Sequence, residues 1–143
     1  MQRLKPFFLI TDIGFIVYWL ITALSLIPAV WLFKEYHNPI MVAWNWSFMP
    51  LDLFISSTGL TSLWLHHRHD PRWQAMALIS LVLTFCSGLM ALVFFTLRND
   101  YDPAWWFANG YLMIYPLFFL PGMIRTIAAP SPAHEPLRSE PAA

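Results

Sequence analysis

Four long apolar stretches, separated by short polar turns, account for most of this chain. They cover residues 7–33, 41–65, 73–97 and 104–127. As a helix that rises about 1.5 Å per residue, each stretch is long enough to cross a hydrocarbon core of about 30 Å. The pattern therefore predicts an all-α protein, an integral membrane four-helix bundle, in which residues 1–127 form one domain with four spans.

The second stretch differs from the others because it carries an acid, Asp52, near its middle. Asn45 lies seven residues before this acid and Ser56 four residues after it, so helical periodicity puts all three on one face. An acid at mid-membrane costs roughly 2.5 to 3.5 kcal/mol on insertion scales, so we expect this face to point towards partner helices. Pro50 removes the backbone donor that would bond the Trp46 carbonyl, which predicts a kink close to the acid.

Residue counts from the ends of each stretch place further polar and aromatic side chains around Asp52. We predict a ligand-binding site near this acid that is formed by Asp12, Tyr18, Trp19, Asn45, Trp46, Ser56, Asn109 and Tyr115. Asp52 is the candidate catalytic acid or base, because a buried carboxyl group can exchange a proton with a bound ligand. The alternative for Asp52 is a hydrogen bond that only fixes helix packing. Asp12 is shallower, and contact with the headgroups or with Arg125 is the alternative for it.

Composition agrees with a membrane location and excludes several classes of function. The chain is 58% hydrophobic and 11% charged, whereas soluble domains are about 25% charged. Tryptophans near the ends of the stretches, such as Trp105, are expected in interfacial belts. The formal net charge is zero, so the composition gives no sign of the basic surface that nucleic-acid binding requires. The chain has one cysteine, which cannot form an internal disulfide. The sequence also lacks the motifs of familiar soluble hydrolases, phosphate-binding loops and cysteine redox pairs.

Three histidines, His66, His67 and His69, lie in the turn that follows the second stretch. Imidazoles ligate zinc or copper. Adjacent histidines beside arginines are nevertheless more typical of a solvated turn at a membrane surface. We therefore predict that the protein uses no metal and no cofactor.

Basic residues are distributed unevenly over the turns and termini. The side with both termini and the middle turn carries six of them and the other side two: Arg3, Lys5, Arg68, Arg72, Arg125 and Arg138 against Lys34 and Arg98. The positive-inside rule then places both termini in the cytoplasm and predicts a multi-pass protein of the cell inner membrane. Residues 128–143 are rich in Pro, Ala, Ser and Glu, and we predict that they form a disordered cytoplasmic tail.

The segment NPIMVAWNWSFMPLDLFISSTG, with its W-x-F-x-P-L-D-L core over Trp46 to Leu53, resembles the YvaD-like small bacterial membrane proteins. This resemblance covers residues 7–127 and implies a four-helix inner-membrane protein, but the family has no assigned activity and transfers no functional residue. A weaker likeness is to the EXPERA four-helix proteins, which include sterol isomerases and sterol-binding receptors. Their first helices carry acids around a lipid pocket, and here Asp12 and Asp52 lie on roughly comparable helices, with Asp in place of the Glu expected on the second helix. The small multidrug exporters offer a third likeness, with four helices and one essential membrane acid.

These observations favour a protein that binds, or binds and isomerises, a small apolar or amphipathic ligand between its helices. One alternative is a dimeric proton-coupled transporter of small molecules, and another is a structural subunit of a membrane complex. The expected partners are membrane lipids or the small apolar ligand, and a second copy of the chain in a homodimer, but not nucleic acid. A transporter needs an acid that is reachable from both membrane faces in turn, whereas a binding protein needs a cavity closed towards one side.

Overall fold

The structure, a computed structural model of the chain, describes residues 1–32 and 35–129. It consists of four α-helices and a short 3₁₀ turn: α1 (Lys5–Ala23), the turn (Ala29–Trp31), α2 (Pro39–His67), α3 (Trp73–Leu97) and α4 (Pro103–Ala128). Each helix packs against the next one along the chain, and the residues described include no strand. The predicted all-α class and four-helix bundle are thus confirmed. The predicted tail, apart from Ala128 and Ala129, lies outside the described residues.

Side-chain caps followed by proline set where two of the helices begin. Asn38 precedes α2, and its Oδ1 accepts a hydrogen bond at 3.0 Å from the backbone N–H two residues later. Asp102 precedes α4 and accepts from the N–H groups two and three residues later, at 3.0 and 3.2 Å. A proline follows each cap at the first position of the helix. Proline is tolerated there because a backbone N–H at that position would have no partner within the helix. These short signals define the first turns of α2 and α4.

α1 ends at Ala23, whereas the predicted first stretch continues to residue 33. Ser25 has a φ of 51°, a left-handed conformation that cannot continue a right-handed helix. Pro28 follows, and its ring nitrogen has no hydrogen to donate to a helical carbonyl. Residues 24–32 therefore leave the helix, so α1 is shorter than the hydropathy pattern alone suggests.

The bundle has two halves with different interiors. The terminal half contains the start of α1 and the end of α4, and its apolar core is formed by Leu4, Phe8, Ala77, Leu81, Tyr115 and Met123. Phe7 joins α1 to α4 there, with its ring centroid 5.2 Å from those of Tyr115 and Phe119. The distal half contains the end of α1 and the start of α2. Consecutive helices are antiparallel, so both ends of the described chain lie at the terminal end.

The outer surface of the bundle is apolar. α1, α3 and α4 are each long and apolar enough to cross a membrane, and Phe107 and Phe118 are 81% and 78% exposed on that surface. α2 has 29 residues, but its polar side chains lower its mean hydropathy. Those polar groups, Asn45, Asp52 and Ser62 among them, are buried against the other helices. Apolar helices with an apolar exterior and polar groups inside indicate a membrane protein.

Ion pairs hold the polar connections at the two ends of the bundle. Between α2 and α3, Arg72 Nη2 donates to Asp70 Oδ2 at 2.7 Å. Hydrogen bonds from this guanidinium lower the pKa of the half-buried Asp70 carboxyl from its ordinary value. At the distal end, Arg98 pairs with Glu35 and also contacts the Met41 sulfur. The second pair joins the connection between α1 and α2 to the turn between α3 and α4.

Candidate functional site

A cavity of about 190 Å³ lies between the four helices in the distal half of the bundle. Half of the residues that line it are aromatic: Phe15, Tyr18, Trp19, Trp44, Phe48, Phe95 and Trp105. Its polar side chains are Asn45, Asp52, Ser87 and Asn109. Among the described residues that line it, Asp52 is the one carboxyl group, and none is a lysine, arginine or histidine. The cavity is therefore both aromatic and acidic.

Asp52 is held in the cavity wall by hydrogen bonds from two neighbouring helices. Its Oδ2 accepts from Trp19 Nε1 on α1 at 3.0 Å, and its Oδ1 accepts from Ser87 Oγ on α3 at 3.3 Å. The residue is only 5% exposed. Each carboxyl oxygen has two lone pairs, so one on each oxygen is still available to a ligand. The two donors thus fix the orientation of the carboxyl group and leave it able to accept further hydrogen bonds.

A second polar pair lines the cavity closer to its distal end. The Tyr18 hydroxyl donates to Asn45 Oδ1 at 3.1 Å. The Nδ2 group of Asn45 is buried and, within the described part of the chain, has no hydrogen-bond partner. On α4, Asn109 Nδ2 donates at 2.9 Å to the carbonyl of Trp105. Asn45 therefore offers a donor to a ligand, whereas the amide of Asn109 is engaged by its own helix.

Trp19 is positioned by two aromatic neighbours, Tyr18 and Trp46, and both were predicted to belong to the site. Its ring meets that of Tyr18 edge-on at 5.0 Å and that of Trp46 at 5.7 Å. Trp46 is 37% exposed and lines a separate shallow recess beside residues 25–29. Trp46 therefore supports Trp19 from outside the cavity and does not contribute to its wall.

Ser56 and Asp12 lie below the cavity, on the side of the terminal half. Ser56 Oγ is 2.9 Å from the Asp52 carbonyl oxygen and 3.1 Å from the Asp12 carbonyl oxygen, so it joins α2 to α1. Asp12 is fully buried, and within the residues described neither of its carboxyl oxygens has a hydrogen-bond partner. Arg125, which was considered as its partner, is exposed. The Asp12 side chain packs against Gly59, where a methyl group would lie 2.0 Å from Oδ2.

Tyr115 also lies outside the cavity, in the apolar core beneath it. Its ring centroid is 5.2 Å from that of Phe7 and 4.9 Å from that of Tyr111. Its hydroxyl is buried and lacks a hydrogen-bond partner among the described side chains and backbone. Residue counting estimates the depth of a side chain but not the direction in which it points, and Tyr115 points towards α1.

The predicted single site is thus divided between a cavity and the layer below or beside it. The structure brings Tyr18, Trp19, Asn45 and Asn109 together with Asp52, and it places Asp12, Trp46, Ser56 and Tyr115 outside the cavity. Sequence reasoning missed Phe15, although its spacing one helical turn before Trp19 indicates a shared face. Trp105, expected in an interfacial belt, lines the cavity. Phe95 was also missed, although it lies eleven residues after Thr84 and eight after Ser87, at spacings that share one face of α3.

The turn after α2 contains the histidines that were considered as metal ligands. Within the described ranges, no three His, Cys, Asp or Glu side chains lie close enough together to hold a metal ion. The His66 ring instead packs edge-on against Trp73, with centroids 4.9 Å apart. The cavity around Asp52 is therefore the stronger candidate site.

Comparisons with known proteins extend the similarity to nearly the whole described chain. Residues 4–129 match DUF5360, which is described as a family of unknown function. The "Uncharacterized protein YvaD" of Bacillus subtilis (strain 168) is 60% identical over 120 residues, which is 84% of this chain and 90% of that protein. No solved structure matches the chain. The resemblance carried by the W-x-F-x-P-L-D-L segment is confirmed.

Proposed function

The chain belongs to the DUF5360 family, and from its acidic, aromatic cavity we propose that it binds a small amphipathic ligand around Asp52 within the membrane. The observation that carries this proposal is a carboxyl group that is buried and hydrogen-bonded, yet forms part of a cavity wall. Acids inside membrane helices are costly and commonly mark ligand or ion pathways. The cavity of about 190 Å³ is larger than the roughly 150 Å³ that accommodates benzene in another protein. A compact chemical group therefore fits.

The layer beneath the cavity supports binding over transport. Ile55, Leu81 and Thr84 are fully buried there, and the Ser56 hydroxyl joins α1 to α2 at nearly the same level. These buried side chains lie between the cavity and the terminal end of the bundle, which supports a cavity that is closed on that side. A proton-coupled transporter needs access to its acid from both ends, so we favour a binding site that opens towards the distal end.

Asp52 is also the candidate acid or base if the bound ligand isomerises. A general acid or base needs to lie within hydrogen-bond reach of the proton that it transfers, and the carboxyl group of Asp52 faces the cavity. No second carboxyl group lines this cavity among the described residues. Ligand binding is for that reason the primary proposal, and isomerisation would use the same residue.

We also propose that α2 is a fourth span and that the protein is a multi-pass inner-membrane protein with both termini in the cytoplasm. Support comes from the six-to-two distribution of basic residues over the two sides. It also comes from the packing of α2 between α1 and α3, which is antiparallel because hydrogen bonds join early residues of one helix to late residues of the next. A helix whose neighbours on both sides are apolar membrane helices is expected to share their environment.

Reporter fusions test this orientation. An enzyme that is active only in the periplasm is expected to give signal when fused after Arg98, because that turn lies on the side with fewer basic residues. The same enzyme fused after Arg68 or after Ala143 is expected to be silent, with expression checked by immunoblot. Signal from the Ala143 fusion would contradict the proposed topology.

Asp52→Asn is expected to abolish ligand binding while the fold survives. The amide keeps the shape of the acid and an oxygen acceptor for Trp19 or Ser87, but it cannot carry charge. We expect the free energy of unfolding to change by no more than about 1 kcal/mol, since interhelical hydrogen bonds in membranes average about 0.6 kcal/mol. The measurement is mass spectrometry of the lipids and small molecules that co-purify with the protein, with detergent unfolding of the same samples.

Asp12→Asn is the matched control, because it makes the same change at a buried acid that lies outside the cavity. This variant is expected to retain the co-purifying ligand. Retention of the ligand by Asp52→Asn, or equal loss from both folded variants, would show that the cavity is not the binding site.

A further inference from the structure

The hydrogen bonds around Asp52 indicate the charge of the ligand group that the cavity can hold. Trp19 Nε1 and Ser87 Oγ both donate to the carboxyl oxygens. Such donors interact most strongly with a carboxylate, which accepts at both oxygens. Among the described residues that line the cavity, none supplies a positive charge to balance it. The balancing charge is therefore expected from the ligand.

The aromatic wall favours the same charge. The faces of tryptophan, tyrosine and phenylalanine rings attract cations, and aromatic enclosures recognise ammonium groups in this way. Trp44 is held by parallel stacking on Phe94 at 4.0 Å and by an edge contact with Phe95 at 5.5 Å. These contacts keep the rings in place before a ligand arrives. An anionic ligand would instead be repelled by Asp52.

We propose that the cavity binds a compact aliphatic ammonium group, about the size of trimethylammonium, with Asp52 as its counter-ion. This proposal rests on the binding function proposed above and adds the charge and size of the ligand group. The rings would surround the alkyl groups on nitrogen, and the carboxylate of Asp52 would lie against the positive charge. A free amine and an ammonium-bearing lipid headgroup present the same chemistry to the cavity.

The test compares two probes that differ in charge and hardly in shape. Choline carries a trimethylammonium group, and 3,3-dimethylbutan-1-ol carries a tert-butyl group in its place. By isothermal titration to the full-length protein in detergent, choline is expected to bind at least about tenfold more tightly than the neutral alcohol. Asp52→Asn is expected to remove this preference, whereas the control Asp12→Asn keeps it.

A cavity-filling variant tests whether choline occupies this cavity. Ala108 lines the cavity and does not occupy a packed core position, so Ala108→Phe should place a bulky side chain at the cavity wall. It is expected to abolish binding of choline. Choline binding that survives Ala108→Phe in a folded sample would overturn the proposal, because the cation would then bind elsewhere.

The remaining outcomes separate the ammonium proposal from the binding function itself. Equal affinity for the two probes, or no binding of choline, overturns the ammonium proposal. The binding function would still stand if a co-purifying ligand is lost from Asp52→Asn alone.

Nanodiscs distinguish the sources of the ammonium group. At high salt, which screens the surface charge of phosphatidylglycerol, choline affinity that is lower in phosphatidylethanolamine than in phosphatidylglycerol supports a lipid headgroup, and equal affinity supports a free amine.

Discussion

Gly88→Ala is expected to lower the free energy of unfolding by about 3 kcal/mol, the upper part of the usual range for overpacking. A methyl group on Gly88 would lie 2.6 Å from the carbonyl oxygen of Asn109 and 2.6 Å from the backbone nitrogen of Met113. Backbone atoms of α4 cannot rotate away as a side chain can. The added methyl group would therefore force α3 and α4 apart, and detergent unfolding of the purified protein measures the cost.

Gly110→Ala provides the matched control on α4. A methyl group there would meet nothing within 4 Å, so we expect stability to change by at most about 1 kcal/mol, with a gain favoured by helix propensity. Gly88 also neighbours Ser87, which holds Asp52, so the Gly88 variant should lose ligand as well. Equal stability of the two variants would mean that α3 and α4 do not approach closely at Gly88.

Gly59→Ala is expected to lower the free energy of unfolding by about 2 kcal/mol, and the size of this loss should depend on Asp12. The nearest atoms to the added methyl group would be Oδ2, Cγ and Oδ1 of Asp12, at 2.0, 2.8 and 2.9 Å. Asp12 is fully buried, so its carboxyl group has little room to move. In an Asp12→Ala background those three atoms are gone. In that background Gly59→Ala should lower the free energy of unfolding by less than about 0.5 kcal/mol. The difference between the two losses is the coupling energy, which is typically this large for residues in contact.

A double-mutant cycle in detergent measures this coupling from four unfolding curves. Gly14→Ala serves as the control, because Gly14 lies on the same helix as Asp12 and a methyl group there would meet nothing within 4 Å. The change in unfolding free energy caused by Gly14→Ala should be the same with Asp12 present and with Asp12 replaced by alanine. If Gly59→Ala lowers the free energy of unfolding by the same amount in both backgrounds, atoms other than those of the Asp12 side chain form the close contact between α1 and α2.

The hydropathy pattern was sufficient to predict the class of fold. Four apolar stretches with polar turns correspond to four helices, because local composition decides whether a segment can be buried in an apolar environment. The end of α1 was not predictable in this way. The left-handed conformation of Ser25 comes from the turn in which it lies, and the residues beyond it are as apolar as the helix itself.

The candidate site was predictable in part for a different reason. Asn45 and Asp52 share one face of one helix, so helical spacing alone brings them together. The sequence does not fix how each helix is rotated relative to its neighbours, and Tyr115 accordingly faces the core below the cavity. Asp12 was predicted to be a ligand-binding residue, with contact to the headgroups as the alternative, yet Gly59 allows α2 to approach closely enough to bury it.

The short first helix has a consequence for the lipids around the protein. With 19 residues, α1 is about 28 Å long, whereas the 29 residues of α2 extend over about 43 Å. Irregular backbone is not stable against lipid tails, so residues 24–32, with exposed Leu24, Leu26 and Trp31, belong at the level of the headgroups. Since α1 is about 2 Å shorter than an average hydrocarbon core of about 30 Å, the bilayer beside it would need to thin slightly to match that helix. Hydrophobic mismatch of this kind would favour shorter acyl chains along one side of the bundle and would sort the protein towards thinner membranes.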